Sequence, residues 1–165
     1  GVLIGKEVAV KLLHSVSERL DHREEFMKEI EHLRRLNHPN IVQLLGYCNE
    51  IRRAYVPDGE GEMFAFEDET YRALCVDYMH NGSLQGYLDD ESCGLDWQTR
   101  YKIIKGACEG LKYLHTGLEN PMFHLDLKPS NILLDKNMVP KLADFGLSEL
   151  VCDNKTHATS SFLGT

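Results

Sequence analysis

The chain has 165 residues, 42% apolar and 27% charged, the composition of one soluble globular domain with its own core. Its formal net charge of −8 argues against non-specific nucleic-acid binding, and no run of 18 apolar residues offers a membrane span. Cys48, Cys75, Cys93, Cys108 and Cys152 are scattered without a Cys-x-x-Cys pair, which predicts reduced structural thiols rather than a disulfide framework or a zinc site.

Val8, Ala9, Val10 and Lys11 form a short β-branched run that ends on a lysine and predicts a strand. Residues 21–36 predict a helix. Asp21 is placed to cap it, Glu24 follows three positions on, and Phe26, Ile30 and Leu33 make one apolar stripe. Asn37, His38 and Pro39 end it. Glu29 adjoins the stripe, with Glu25 and Glu31 as the competing acids. An apolar run over residues 41–47 reads as a second strand. Residues 50–71 hold seven acids and two arginines, so their net −5 is most of the chain's −8. That segment reads as an acidic surface excursion between strands, with room for an extra hairpin.

Residues 72–78 predict the next strand, and His80, Asn81 and Gly82 a turn. Ser83 is placed to cap a short helix running through Leu88. Residues 96–115 carry the strongest helical pattern. Trp97, Tyr101, Ile104, Cys108 and Leu111 recur at alternating spacings of four and three, a stripe assigned to the core. Thr116 and Gly117 stop this helix.

Residues 124–131 read His-Leu-Asp-Leu-Lys-Pro-Ser-Asn, and Asp144, Phe145 and Gly146 follow. Two short apolar runs, residues 132–134 and 139–143, flank the turn at Asp135, Lys136 and Asn137, so a hairpin carries the polar groups at its base. Single Asp and Asn residues commonly do no more than cap turns. The whole set in this order points elsewhere.

This order resembles the catalytic loop and the Asp-Phe-Gly motif of protein kinases, with Leu125 where an arginine is usual. The strand ending in Lys11 resembles the kinase strand whose lysine contacts the nucleotide phosphates, and the helix with Glu29 resembles the kinase αC. Leu95, Asp96, Trp97 and Arg100, then Gly110, Leu111, Tyr113, Leu114 and His115, resemble the plant receptor-like branch related to Pelle. The run from Asn81 to Leu84 points the same way.

The resemblance implies an α+β, two-lobed kinase fold, truncated at both ends. Residues 1–79 would be a partial small lobe and hinge without the glycine-rich loop, and residues 80–165 a partial large lobe through the activation segment. It implies transfer of the ATP γ-phosphate to Ser or Thr hydroxyls of a protein substrate. Phosphoryl transfer needs Mg²⁺ on the phosphates, a cation on the transferred group and a carboxylate that orients the acceptor. Asp126 would be the base and Lys128 would meet the γ-phosphate. Asn131 and Asp144 would offer oxygen ligands to Mg²⁺. Lys11 would hold the phosphates and Glu29 orient Lys11. Val76 would stand at the gatekeeper position, with the Asp77 C=O and Met79 N–H facing adenine. Leu125 has no charge to pair with a phosphate, so phosphorylation at Thr156, Thr159, Ser160 or Ser161 is expected to change the rate little. Membrane attachment is expected only through segments outside this chain, at the cytoplasmic face of the plasma membrane, and no nucleic-acid partner is expected. The reading from another class is an inactive, truncated kinase that serves as a binding scaffold.

Overall fold

A computed structural model describes residues 1–14, 20–57, 64–90 and 94–151. Strands β1 (Val2–Leu3) and β2 (Lys6–His14) form a hairpin. Ile4 and Gly5 turn it with φ of 50° and 76°, the two positive values that a tight hairpin turn requires. Helix α1 spans Leu20–Arg35. It already includes Asp21, so the cap expected there falls inside the helix. The stripe at Phe26, Ile30 and Leu33 is buried as its spacing predicts.

Residues 41–47 are not a continuous strand. Ile41 makes a single bridge to Leu142, and strand β3 runs Leu44–Pro57. Strand β4 runs Phe64–Asp77 and pairs with β3 from Leu44↔Val76 to Pro57↔Phe64, with one irregularity near Gly46. Residues 58–63 lie outside the described residues, and the described part of the acidic segment is the extra hairpin for which the sequence left room, not a loop between strands. It lengthens both strands into one antiparallel ribbon. Pairing of β2 with β4 ends at His14↔Tyr71, and the sheet order is β1-β2-β4-β3.

Beyond the sheet come α2 (Leu84–Asp89), α3 (Trp97–Thr116) and β5 (Met122–Phe123). A single 3₁₀ turn at Pro129–Asn131 leads into β6 (Ile132–Leu134), β7 (Pro140–Leu142) and β8 (Glu149–Leu150). Ser83 precedes α2 in extended conformation, but its hydroxyl makes no capping bond, contrary to expectation. Asp96 does cap α3, accepting from the Thr99 N–H at 2.7 Å. Strands β6 and β7 form the predicted hairpin, and the Asp135 carboxylate fixes its turn by accepting from the Asn137 and Val139 N–H groups at 2.8 and 2.9 Å.

Of the predicted α3 stripe only Leu111, half-buried, packs against the core; the other four positions do not. Trp97 is 73% exposed, and Tyr101, Ile104 and Cys108 also lie open. The buried face is Ile103, Gly110 and Leu114, with Gly106 and Ala107 between them. Small residues win because backbone sits against this face. A Cβ on Gly106 would stand 2.5 Å from Pro140 Cγ, and one on Gly110 3.0 Å from the Asn40 carbonyl oxygen. Close approach of β7, rather than bulk, buries the helix.

One core cluster joins both halves. It holds Leu33 and Leu36 after α1's midpoint, Ile41 and Val42, Met79, Leu114, Met122, Leu142, Ala143 and Phe145. A second holds Phe26 and Ile30 against Leu74 of β4. Burying each large side chain contributes about 1.5–3 kcal/mol. The thiols are not structural in the expected sense: Cys48 and Cys108 are exposed, Cys75 is half-buried, and all three are free. Cys93 and Cys152 lie outside the described residues. So do the hydroxyls expected in the activation segment beyond Val151.

Candidate active site

Backbone pairing brings the polar groups together. The Val42 N–H donates to the Leu142 carbonyl at 3.0 Å and the Leu142 N–H to the Asn40 carbonyl at 2.9 Å, which fixes β7 beneath the sheet. The Ala143 N–H donates to the Asn131 carbonyl at 2.9 Å, so the residue before Asp144 is tied to the end of the 124–131 stretch.

His124 makes the second tie. It is buried, and its Nε2 donates to the Ala143 carbonyl at 3.0 Å while Nδ1 accepts the Asp126 N–H at 3.3 Å. Its ring lies 4.9 Å from that of Phe145. Burial lowers the His124 pKa below the ordinary 6.5, and the neutral ring suits both bonds. Leu125 and Asp144 bracket this joint with φ of 61° and 68°, a region that non-glycine residues seldom occupy and that costs roughly 1–3 kcal/mol.

Two clusters of side chains result. In the first, Lys11 Nζ donates to Glu29 at 3.1 and 3.2 Å and to Asp144 Oδ1 at 2.9 Å. Glu29 is buried, whereas Glu31 pairs with Arg35 on the helix surface, so the choice among neighbouring acids falls on Glu29 geometrically. Burial pulls the Lys11 pKa down, but the hydrogen bond to Asp144 and the charges of Glu29 and Asp144 outweigh it, and the pKa stands above 10.5. Burial raises the Glu29 carboxyl above its ordinary value, with Lys11 offsetting part of the rise. The partners differ because Lys11 is far more open to water than Glu29.

In the second cluster, Asp126 Oδ2 accepts from Lys128 Nζ at 2.7 Å and from Asn131 Nδ2 at 2.9 Å. The Lys128 hydrogen bond leads in holding the Asp126 pKa below 3.8. Asn131 is buried and also donates to the Asp126 carbonyl.

The remaining predicted positions line the edge between the halves. Val76 and Met79 pack in the core cluster that includes Ala143 and Phe145. The Asp77 N–H donates to the Gln43 carbonyl, and its carboxylate takes Lys6 at 2.6 Å. Among the described residues no group of three His, Cys, Asp or Glu side chains could hold a metal by itself. Asp144 and the Asn131 oxygen remain as hard donors, since the Asn131 nitrogen is spent on Asp126. Two oxygen donors fit a cation that completes its shell with phosphate and water oxygens.

Comparison with known sequences decides the family: the protein kinase domain matches residues 3–165. The chain belongs to the protein kinase family. Its two-lobed fold is the one the resemblance implied, and kinases as a class use ATP with a divalent metal. Among its relatives is a probable LRR receptor-like serine/threonine-protein kinase of Arabidopsis thaliana, 42% identical over 163 residues. That alignment covers 98% of this chain and 15% of the relative. Phytosulfokine receptor 1 of the same plant is 40% identical over 164 residues, covering 98% of this chain and 14% of the receptor. The probable serine/threonine-protein kinase PBL7 is 41% identical over 156 residues, covering 89% of this chain and 36% of that protein. The chain thus spans about a seventh of the receptor-like relatives' length. Among the described residues of this kinase no helix is long and apolar enough to cross a membrane.

Sequence reasoning missed His32 and the structural part of Ser148. The Ser148 hydroxyl is buried and lies 2.6 Å from His32 Nδ1. The available signal was position: His32 stands three residues after Glu29, on the same helix face.

Proposed function

We propose that this chain is the ATP-site part of a plant receptor-like serine/threonine kinase, acting on protein hydroxyls at the cytoplasmic face of the plasma membrane. The single observation that supports this best is Lys11 held between Glu29 and Asp144, with Asp126, Lys128 and Asn131 joined at the base of the same hairpin. Residues 1–79 act as the small lobe and hinge, and residues 80–165 as the large-lobe part. Asp144 and Asn131 would hold Mg²⁺, which would supply neutralisation of the phosphate charge when bound with ATP. Lys11 holds the phosphates. Lys128 leaves Asp126 for the transferred phosphate, which frees the Asp126 carboxylate to orient the acceptor hydroxyl and take its proton. The Asp77 C=O, Met79 N–H and Val76 side chain receive the adenine.

A scaffold without catalysis would have no need of this complete polar set. In the full-length protein, Asp144→Ala should abolish Mg²⁺-dependent nucleotide binding; equal affinities by calorimetry would refute the assignment. Asp126→Asn keeps the shape and removes the base. Turnover should fall about 10²–10⁴-fold with ATP affinity nearly unchanged.

A further inference from the structure

His32 and Ser148 are both buried, and neither is needed by the reaction as described. The Ser148 hydroxyl donates its one proton to the Phe145 carbonyl at 2.6 Å. His32 Nδ1, 2.6 Å from the same oxygen, donates to it in the tautomer that leaves the hydroxyl proton on the Phe145 carbonyl, and the His32 ring also bonds the Phe145 backbone. One turn earlier on α1, the Glu29 carboxylate accepts the Phe145 N–H. The bonds close a ring. It runs from Lys11 to Asp144, along the chain to Phe145, through Ser148 to His32, and up α1 through Glu29 back to Lys11. Asp144 sits in this ring with φ of 68°. A strained residue persists only where its surroundings over-determine it.

We propose that His32 is a positioning residue. Its bond to Ser148 is a second clasp between α1 and the Asp144-Phe145-Gly146 turn, and it keeps Asp144 in the orientation that meets the phosphate-bound cation. This deepens the proposed function and rests on it. Lys11 reaches Glu29 across a gap partly open to water and is needed by the phosphates. The His32–Ser148 bond is dry and has no other duty, so it holds the helix to the turn while Lys11 changes partners.

The test uses the full-length protein and two readouts: hydrogen exchange of the amides of residues 144–148, and turnover at saturating ATP. His32→Leu should speed exchange there and lower kcat, each about tenfold, with the KM for protein substrate unchanged. His32→Gln, which restores a donor, should recover most of both. Ser148→Ala, a far milder cut, should match His32→Leu, and the double variant should be no worse than either. Unchanged exchange in His32→Leu overturns the proposal. So do additive losses in the double variant, or a lowered melting temperature with turnover intact. If the parent shows no Asp126-dependent turnover, the proposed function fails, and exchange at residues 144–148 alone judges the clasp.

Discussion

Asp126 is held acidic, not poised near neutrality, because Lys128 sits 2.7 Å from its carboxylate. A carboxylate of that kind is a weak base, and what it offers most is direction: it aims the hydroxyl and takes the proton late. The buried histidines give the fold its own pH dependence. Burial is the leading cause that lowers the pKa of His32 and of His124 below 6.5. Glu31 draws His32 upward while Arg35 and Lys28 push it down, and Asp126 and Asp144 draw His124 upward. The unfolded chain then takes up protons first, at about the ordinary 6.5. The stabilising contribution is full above that pH and is lost as pH falls toward the folded-state values. Glu29 acts in the opposite sense, since its raised pKa favours the folded state as pH falls further. The urea midpoint should therefore drop between pH 7.5 and 5.5, and His124→Gln should flatten the drop. A midpoint that rises on acidification would contradict this. The joining of Asp126 to Asn131 could be anticipated from their spacing, and that of Lys11 to Glu29 only from the two elements taken together. His32 could not be anticipated, because its partner lies 116 residues away and only packing brings the two together.

At the scale of elements, periodicity named α1's buried face and misnamed α3's. In α1 the buried residues are also the large ones. In α3 they are Ile103, Gly110 and Leu114, with half-buried Gly106 and Ala107 between them, and a hydrophobicity pattern is blind to the glycines on that face. Gly106→Ala tests this. A helix gains about 1 kcal/mol from such a change, but the new methyl would meet Pro140 and Asn40, and overpacking costs about 1–3 kcal/mol. We expect a net loss of up to about 2 kcal/mol in a denaturant titration. Gly86→Ala in α2 is the control, because a Cβ there meets nothing within 4 Å. It should be neutral or gain up to about 1 kcal/mol. Equal effects at the two sites would show that close approach does not govern α3.

Over the whole molecule, the core is continuous between halves while much apolar surface stays open. Trp97, Tyr101 and Ile104 on α3, and Val10 and Leu12 on β2, are all at least half exposed. Folded stability is only about 5–15 kcal/mol, and patches of this kind drive association. Residues 1–165 expressed alone should self-associate and show no measurable phosphotransfer. Replacing Trp97, Tyr101 and Ile104 by Gln should cut light scattering sharply without lowering the unfolding midpoint. A parent that stays monomeric and melts cooperatively would overturn this expectation. The acidic segment shows the limit of reading at this scale: composition announced a surface feature, while strand pairing decided its form. Past Tyr71 the ribbon has no third strand among the described residues, and seven further residue pairs extend it by about 23 Å. Mechanically its described part is a cantilever one sheet thick, clamped where β2 pairs with β4. Bending concentrates at the clamp, where β2 lets go of β4. Five and six residues on, the same strand carries Val76 and Asp77, the positions proposed to receive adenine. A sideways load on the ribbon therefore arrives at Val76 and Asp77 as torque.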